Sequence, residues 1–464
     1  MSVRCDCLLV SADRLLLLME NADDGSLALP HVESERGWVA DAVGSIQSQI
    51  RRQFGIDAVV LREIQRTPAG MVCEIEALST ALRKSATTIW RPASDPVIQA
   101  LPPEQRQAVL LWREDRGVER RIAPWQRPGW FAEARRWIID RVRRARLEIT
   151  AEVGQVKGAW NGSCVLKVGT TGGPLYFKAA PSRRPGEPAA LRALALRWSR
   201  NLPVVVDADD DRCWTLMREV LGEELDAGDI EALGRAARLV ARIQIAEAAD
   251  VECWSVRGCP DRGLDTMARR LPRLLKEIPA RLCEAGVLTA SERDEIGAFA
   301  APAAAMCRAL LASAIPGRSI HHEDFRAGNV RRSPNGELVI LDWNDIVIAH
   351  PFFSIQRFLW FMDPPKGVDR HEILDGEADV LRRALRDAYL EPFTPFEPAP
   401  RLREAFRLSS LLAPVYDAFR FESSFDVDEV FRQGIGPEEA GIARALMDQI
   451  LDIHRSIDSG ASRL

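Results

Sequence analysis

The stretch H-E-D-F-R-A-G-N, His322 to Asn329, followed by L-V-I-L-D-W-N, Leu338 to Asn344, decides the reading of this 464-residue chain. The first has the form H-x-D-x-x-x-x-N. The second is an apolar strand that ends in a carboxylate 13 residues after Asn329. Asp324 offers a carboxylate that can orient a hydroxyl and take its proton. Asn329 brings a neutral amide oxygen back toward the same point, and Asp342 sits at a strand terminus, a rigid place for a metal ligand. A base and hard oxygen ligands for magnesium are the few groups that phosphoryl transfer asks of a protein. His321 and His322 have no Cys/His cluster near them in sequence, which disfavours a zinc reading. His322 is grouped with Asp324 in the catalytic loop, where it is expected to brace the loop by hydrogen bonds. Trp343 is expected to pack behind the metal site.

Upstream of this stretch the chain reads as strands. Val153–Lys157, Cys164–Val168 and Leu175–Ala179 are short apolar runs, with Thr170-Thr171-Gly172-Gly173 as a turn. Tyr176-Phe177-Lys178 sets a lysine at the end of the last run, where its point charge can meet nucleotide phosphates. Glu187, just ahead of a helix over 188–200, is the proposed partner of Lys178, with Glu219, Glu223 and Glu224 as rivals. Trp160-Asn161-Gly162-Ser163 is a turn suited to cover phosphates, although it lacks the G-x-G-x-x-G form, and Ser163 is counted with the nucleotide-binding residues. Strands over 204–207 and 213–217 follow. After Glu219 the pattern is helical, broken by a strand-rich island over 318–342. A strand-rich lobe therefore precedes a helical one.

The motifs H-E-D-F-R-A-G-N and L-V-I-L-D-W-N resemble those of the aminoglycoside phosphotransferase and choline kinase group. The resemblance covers about 150–460. It implies an α+β, bilobal protein-kinase-like fold, with ATP as donor, Mg2+ as cofactor and a small-molecule hydroxyl as acceptor. It implies Asp324 as base, Asn329 and Asp342 as magnesium ligands, and Lys178 as phosphate anchor. Met217–Val220, including Glu219, would be the hinge that meets adenine through backbone groups. Two departures stand out. Most members have Gly where Glu323 stands; the extra carboxylate is expected either to raise the pKa of Asp324 by like-charge repulsion or to point to solvent. Where the family often has Asp shortly after His350-Pro351, this chain has Phe352-Phe353-Ser354, a change expected to loosen support of the catalytic loop. The chain lacks D-F-G at Asp342 and the A-P-E landmark, which argues against a protein acceptor. The competing reading is a catalytically inactive nucleotide-binding regulatory module.

Before residue 125 the chain has a different pattern. Apolar runs over 3–10 and 14–20, joined at Ala12-Asp13, predict a strand pair. Val39, Val43, Ile46, Ile50 and Phe54 form one helical stripe that Gly55 stops. Strands over 58–64 and 73–78 and a helix from Pro102-Pro103 to Trp112 follow. This order, with Leu29-Pro30 and Phe54-Gly55-Ile56, resembles a Nudix fold. That fold's box, G-x5-E-x7-R-E-U-x-E-E-x-G-U, would place Ser48-Gln49 at R-E and Arg52-Gln53 at E-E, so its metal-binding glutamates are missing. The expected division is a Nudix-like α/β domain over 1–125, a linker helix over 126–149, a strand-rich lobe over 150–222 and a helical lobe over 223–464. The linker helix carries six arginines from Arg135 to Arg146. They read as a solvated face, with a nucleotide or partner patch as the alternative.

Composition narrows the class. Hydrophobic residues are 47% and charged residues 28%, with a net charge of −5, so no global basic field recruits nucleic acid. The nine cysteines form no C-x-x-C pair and read as reduced, buried thiols. The longest apolar runs, such as Leu15–Met19, are too short to span a bilayer, and no signal peptide pattern opens the chain. These features predict a cytoplasmic protein with no membrane and no nucleic-acid partner. Acidic residues Asp363, Asp369, Asp375, Glu422, Asp426 and Asp428 are candidates to recognise a cationic acceptor, with solvated helix faces as the plainer reading.

Overall fold

Two strands buried on both faces organise the N-terminal part. A computed structural model of the chain describes residues 2–11, 13, 15–21, 26–34, 37–67, 70–79, 88–114, 122–181, 186–226, 228–360, 380–424 and 427–458. Strand β1 (Val3–Val10) pairs in parallel with β6 (Gly70–Ala77), Cys7 opposite Cys73. Parallel strands need cover on both faces. Helix α1 (Val39–Phe54) covers one face with Val39, Val43, Ile46, Ile50 and Phe54. Helix α2 (Pro103–Glu114) covers the other with Ala108, Val109 and Trp112. Around this pair lie β2 (Leu16–Asn21), β3 (Leu27–Ala28), β4 (His31–Ser34), β5 (Ala58–Thr67) and β7 (Thr88–Pro92) in one seven-stranded sheet. Gly55 closes α1 at φ 73°, the left-handed cap that glycine adopts without cost. The turn expected at Ala12-Asp13 falls partly outside the described residues. Buried carboxylates on β6 are met by donors. Glu74 accepts from Trp112 Nε1 at 2.9 Å and from Arg62 Nε at 2.8 Å, and Glu76 accepts from the Gly129 amide at 2.9 Å.

Helix α3 (Trp130–Arg144) and a second sheet share one core with β5. The sheet has the order β11-β12-β10-β9-β8, all antiparallel, with β8 (Ile149–Lys157), β9 (Cys164–Thr170), β10 (Leu175–Ala179), β11 (Val205–Asp209) and β12 (Trp214–Arg218). Val59 and Leu61 of β5 join Trp130, Trp137, Phe177 and Trp214 in a single buried cluster. The rings meet edge to face: Phe177 lies 5.3 Å from Trp214 and 5.6 Å from Trp137. The arginines of α3 lie outside this core. Arg135 pairs with Glu152 at 2.7 Å, and Arg141 reaches Asp207 and lies over the Trp137 ring. Strand β8 begins four residues earlier than the pattern predicts, because its first four residues are exposed and show no apolar alternation.

The chain divides into two compact units. One comprises Met1–Pro188 with Pro203–Glu219; the other comprises Ala189–Leu202 with Val220–Leu464. The second is mainly helical. Its strands are β13 (Glu223–Glu224), β14 (Ser319–His322), β15 (Val330–Arg332), β16 (Leu338–Ile340) and β17 (Ile346–Ala349), in two small sheets. Among the described residues, no helix is long and apolar enough to cross a membrane. All nine cysteines are free thiols; seven are buried, Cys253 is exposed and Cys283 is intermediate, so the expectation of burial fails at those two.

Phe177 is fully buried at the centre of the aromatic cluster. Truncation to Ala leaves a void that rigid rings cannot refill, so Phe177→Ala is expected to cost about 3–5 kcal/mol. Urea denaturation checks this: the midpoint falls while the slope stays unchanged.

Candidate functional site

A two-strand pairing brings the motif residues together. β15 and β16 pair antiparallel, Val330 opposite Ile340, and the Leu341 amide donates to Asn329 O at 2.8 Å. Asn329 and Asp342 therefore stand side by side at the same end of the hairpin. Asp342 takes φ 63° and ψ 58°, a left-handed conformation that aspartate tolerates better than most residues. Asn329 Nδ2 donates to Asp324 O at 2.7 Å and to Asp324 Oδ2 at 2.9 Å. This commits the amide nitrogen to Asp324 and turns the carbonyl oxygen elsewhere. Asp324 and Asn329 thus lie before β15, and Asp342 lies just after β16 at the paired end of the same hairpin. Their donors are two carboxylates and an amide, the hard set that suits magnesium. Two residues past Asp342, the buried Asn344 Oδ1 has no hydrogen-bond partner among the described residues.

His322 supports the Asp324 loop from below. Its Nε2 donates to Leu341 O at 2.8 Å, and its Nδ1 accepts from the Asp324 amide at 3.3 Å, so one tautomer satisfies both. Burial holds its pKa below the usual value, with Asp342 and the Leu341 carbonyl opposing. Both ring nitrogens are spent on backbone, and its ring meets Trp343 at 4.7 Å. Trp343 is buried, as its apolar setting predicts.

Two arginines that the motif reading did not single out hold Asp324. Arg357 Nε donates to Oδ1 and Arg326 Nε to Oδ2, each at 3.1 Å. Burial pushes the Asp324 pKa up, but Arg357 and then Arg326 outweigh it, and the carboxyl ends below its ordinary value. Arg326 lies inside the quoted motif. Arg357 lies on the helix Phe353–Trp360, and nothing in its local sequence marks it.

Glu323 does neither of the two things expected of it. It is 2% exposed, and its charge is absorbed on the far side of the loop. Arg262 Nη1 and Tyr416 OH donate to its Oε1, the latter at 2.8 Å, and Arg420 Nε pairs with Oε2 at 3.2 Å. Burial raises its pKa, yet Arg262 and Arg420 bring it below the ordinary value. The segment after His350-Pro351 is also held. Ser354 Oγ meets His321 Nδ1 and accepts from Gln244 Nε2 at 2.8 Å, while Tyr389 OH donates to Pro351 O at 2.6 Å. A neutral network thus ties this segment to β14. A small pocket of about 30 Å³ is lined among others by His321, Glu323, Arg357, Asp417 and Arg420.

The other unit carries the lysine. Lys178 Nζ pairs with Glu187 Oε2 at 2.8 Å, joining β10 to helix α4 (Gly186–Trp198); both side chains are buried. Two of the rival carboxylates, Glu219 and Glu224, are engaged elsewhere. Glu219 Oε1 accepts from Lys167 Nζ at 3.0 Å and from Tyr176 OH at 3.2 Å, and Glu224 pairs with Arg331. Met217 lies opposite Tyr176 in β12, and the chain passes to the second unit after Glu219. Ser163 is buried in the turn between β8 and β9. Of the acidic candidates, Glu422 pairs with Arg270 and Arg273, and Asp428 with Arg273 and Arg281. Asp363, Asp369, Asp375 and Asp426 lie outside the described residues. Among the described residues, no group of three or more His, Cys, Asp or Glu is gathered so as to hold a metal ion.

The family model described as "Phosphotransferase enzyme family" matches residues 152–399. No curated protein matches the chain. Solved structures similar to it include a choline/ethanolamine kinase family protein from Mesorhizobium loti, with 16% identity, a TM-score of 0.45, and coverage of 70% of this chain and 99% of that one. A macrolide 2'-phosphotransferase from Brachybacterium faecium has 13% identity, a TM-score of 0.43 and coverage of 68% and 98%. A choline kinase from Cryptosporidium parvum has 12% identity, a TM-score of 0.45 and coverage of 72% and 94%.

Burial lowers His321 and His350 from 6.5 to about 3 each. Below pH 6.5 the unfolded chain takes up protons that the folded one refuses. Stability is therefore full above pH 6.5 and falls as the pH drops toward 3, by up to ~1.4 kcal/mol per pH unit for each ring. Urea titrations between pH 7.5 and 5, above the carboxylate range, should show this loss. The His350→Asn variant should have a slope shallower by about one proton.

Proposed function

Given that the chain belongs to the phosphotransferase enzyme family, we propose that it transfers the γ-phosphoryl group of ATP to a hydroxyl of a small molecule. The observation that carries this reading is the commitment of Asn329 to Asp324, with Asp342 alongside. In this reading Asp324 is the base, and Asn329 and Asp342 hold magnesium through their oxygens. The ion, when bound, offsets charge on the phosphates. The depressed pKa keeps Asp324 ionised, so that it orients the acceptor hydroxyl and takes its proton late. That suits a loose transition state in which positioning dominates. His322 acts as a positioning residue, since both its nitrogens serve the loop. Lys178, held extended by Glu187, anchors the phosphates, Ser163 lies in the turn that covers them, and backbone groups of Met217–Val220 meet adenine. Residues 150–222 and 223–464 are the two lobes, 126–149 the linker helix, and 1–125 a Nudix-like domain without its metal box. The protein works in the cytoplasm, apart from membrane and nucleic acid.

One observation favours the alternative, a nucleotide-binding module without turnover: both Asp324 oxygens already receive guanidinium donors. Turnover decides between the two. Labelled ATP offered with amino alcohols, sugars and aminoglycosides should yield a phosphorylated product. Asp324→Asn should lower kcat by roughly 10²–10⁴, the usual worth of a general base, and leave nucleotide affinity within about threefold. Nucleotide binding with no transfer to any acceptor class, and no effect of Asp324→Asn, would falsify the enzyme reading.

A further inference from the structure

The edge strand of the nucleotide lobe is closed by the N-terminal domain. β8 is the last strand in its sheet, and an edge strand exposes backbone groups unless something covers it. Here the cover comes from α1 and β5. The Gln155 side chain behaves as an added strand residue: Val60 N donates to its Oε1 at 3.1 Å, and its Nε2 donates to Val60 O at 3.0 Å. Gln47 Nε2 donates to the same Oε1 at 3.0 Å and to Ala58 O at 2.9 Å. Gln155 is 6% exposed, so these contacts replace water. The β8–β9 register shifts between Gln155 and Lys157, a bulge that re-aims the strand where the turn begins.

The turn beyond the bulge is gripped as well. The Trp160 ring lies over Gly162, where a Cβ would come within 2.0 Å of it. Trp125 Nε1 donates to Trp160 O at 2.7 Å. Trp38, at the start of α1, meets Trp160 edge to face at 5.1 Å. Lys157 Nζ sits 5.1 Å from the Trp38 ring and 5.5 Å from the Trp160 ring. The turn Trp160–Ser163 joins the first two strands of a sheet whose third strand carries Lys178. In kinases that is the place of the loop over the phosphates.

We propose that the N-terminal domain positions this turn for nucleotide, with Trp38 and Gln155 as positioning residues. This rests on the phosphotransferase reading above. Trp38 touches no reacting group; it acts by limiting where Trp160 and the backbone of 161–163 can go. At 43% exposure it also contributes little to the fold, so its removal tests position rather than stability.

The test uses the full chain with Trp38→Ala, Trp38→Phe and Gln155→Ala. Hydrogen exchange reads the turn directly, and calorimetry with a non-hydrolysable ATP analogue reads binding. In Trp38→Ala, amides of 158–163 should exchange faster. Nucleotide Kd and KM should rise roughly three- to tenfold, the ratio that one aromatic or cation–π contact sustains, with kcat within about twofold. Trp38→Phe should restore most of the affinity, and Gln155→Ala should repeat the pattern. Unchanged exchange in the turn overturns the clamp. Faster exchange with wild-type affinity overturns the positioning role. Faster exchange in a chain whose wild type binds no nucleotide overturns the phosphotransferase reading, and the positioning role with it.

Discussion

Taking a carboxylate out of water costs several kcal/mol unless donors meet it, and the loop His322–Asn329 is arranged around two adjacent carboxylates that must both be met. The backbone between Glu323 and Asp324 sends them to opposite sides. Glu323 goes inward to Arg262, Tyr416 and Arg420, and Asp324 goes outward to Asn329, Arg326 and Arg357. Each charge has its own set of partners, so neither has to be neutralised by the other's protonation. The loop cannot shift without uncovering one of them. This fixes the direction in which Asp324 points, and it fixes Asn329, whose amide nitrogen is bound to Asp324.

The same constraint explains how two departures from the family pattern coexist. Glu323 in place of glycine adds a buried charge, and the helix Ala399–Ser424 supplies Tyr416 and Arg420 to hold it. The segment after His350-Pro351 lacks a carboxylate, and Ser354, Gln244 and Tyr389 hold it through neutral hydrogen bonds.

Within the first compact unit, β5 and the five-stranded sheet share a core rather than a hinge. Val59 and Leu61 lie in the same cluster as Trp137, Phe177 and Trp214, and Gln155 completes a backbone pair with Val60. A side chain used as a strand residue needs no extended apolar run, so nothing in β8 announces it. The first four residues of β8 are exposed, and Val60, the partner of the Gln155 side chain, lies 95 residues away in sequence.

From its sequence alone, the chain determined what depends on local pattern. The apolar stripe Val39–Phe54 is a helix and Leu338–Ile340 is a strand, because period acts over a few residues. Tertiary structure alone decided which charges meet. Glu187 rather than Glu219 faces Lys178, Arg357 reaches Asp324 from the helix Phe353–Trp360, and Glu323 turns inward to Arg262. Coulombic and hydrogen-bond partners are chosen by distance in space, and distance in space between residues far apart along the chain is set by packing.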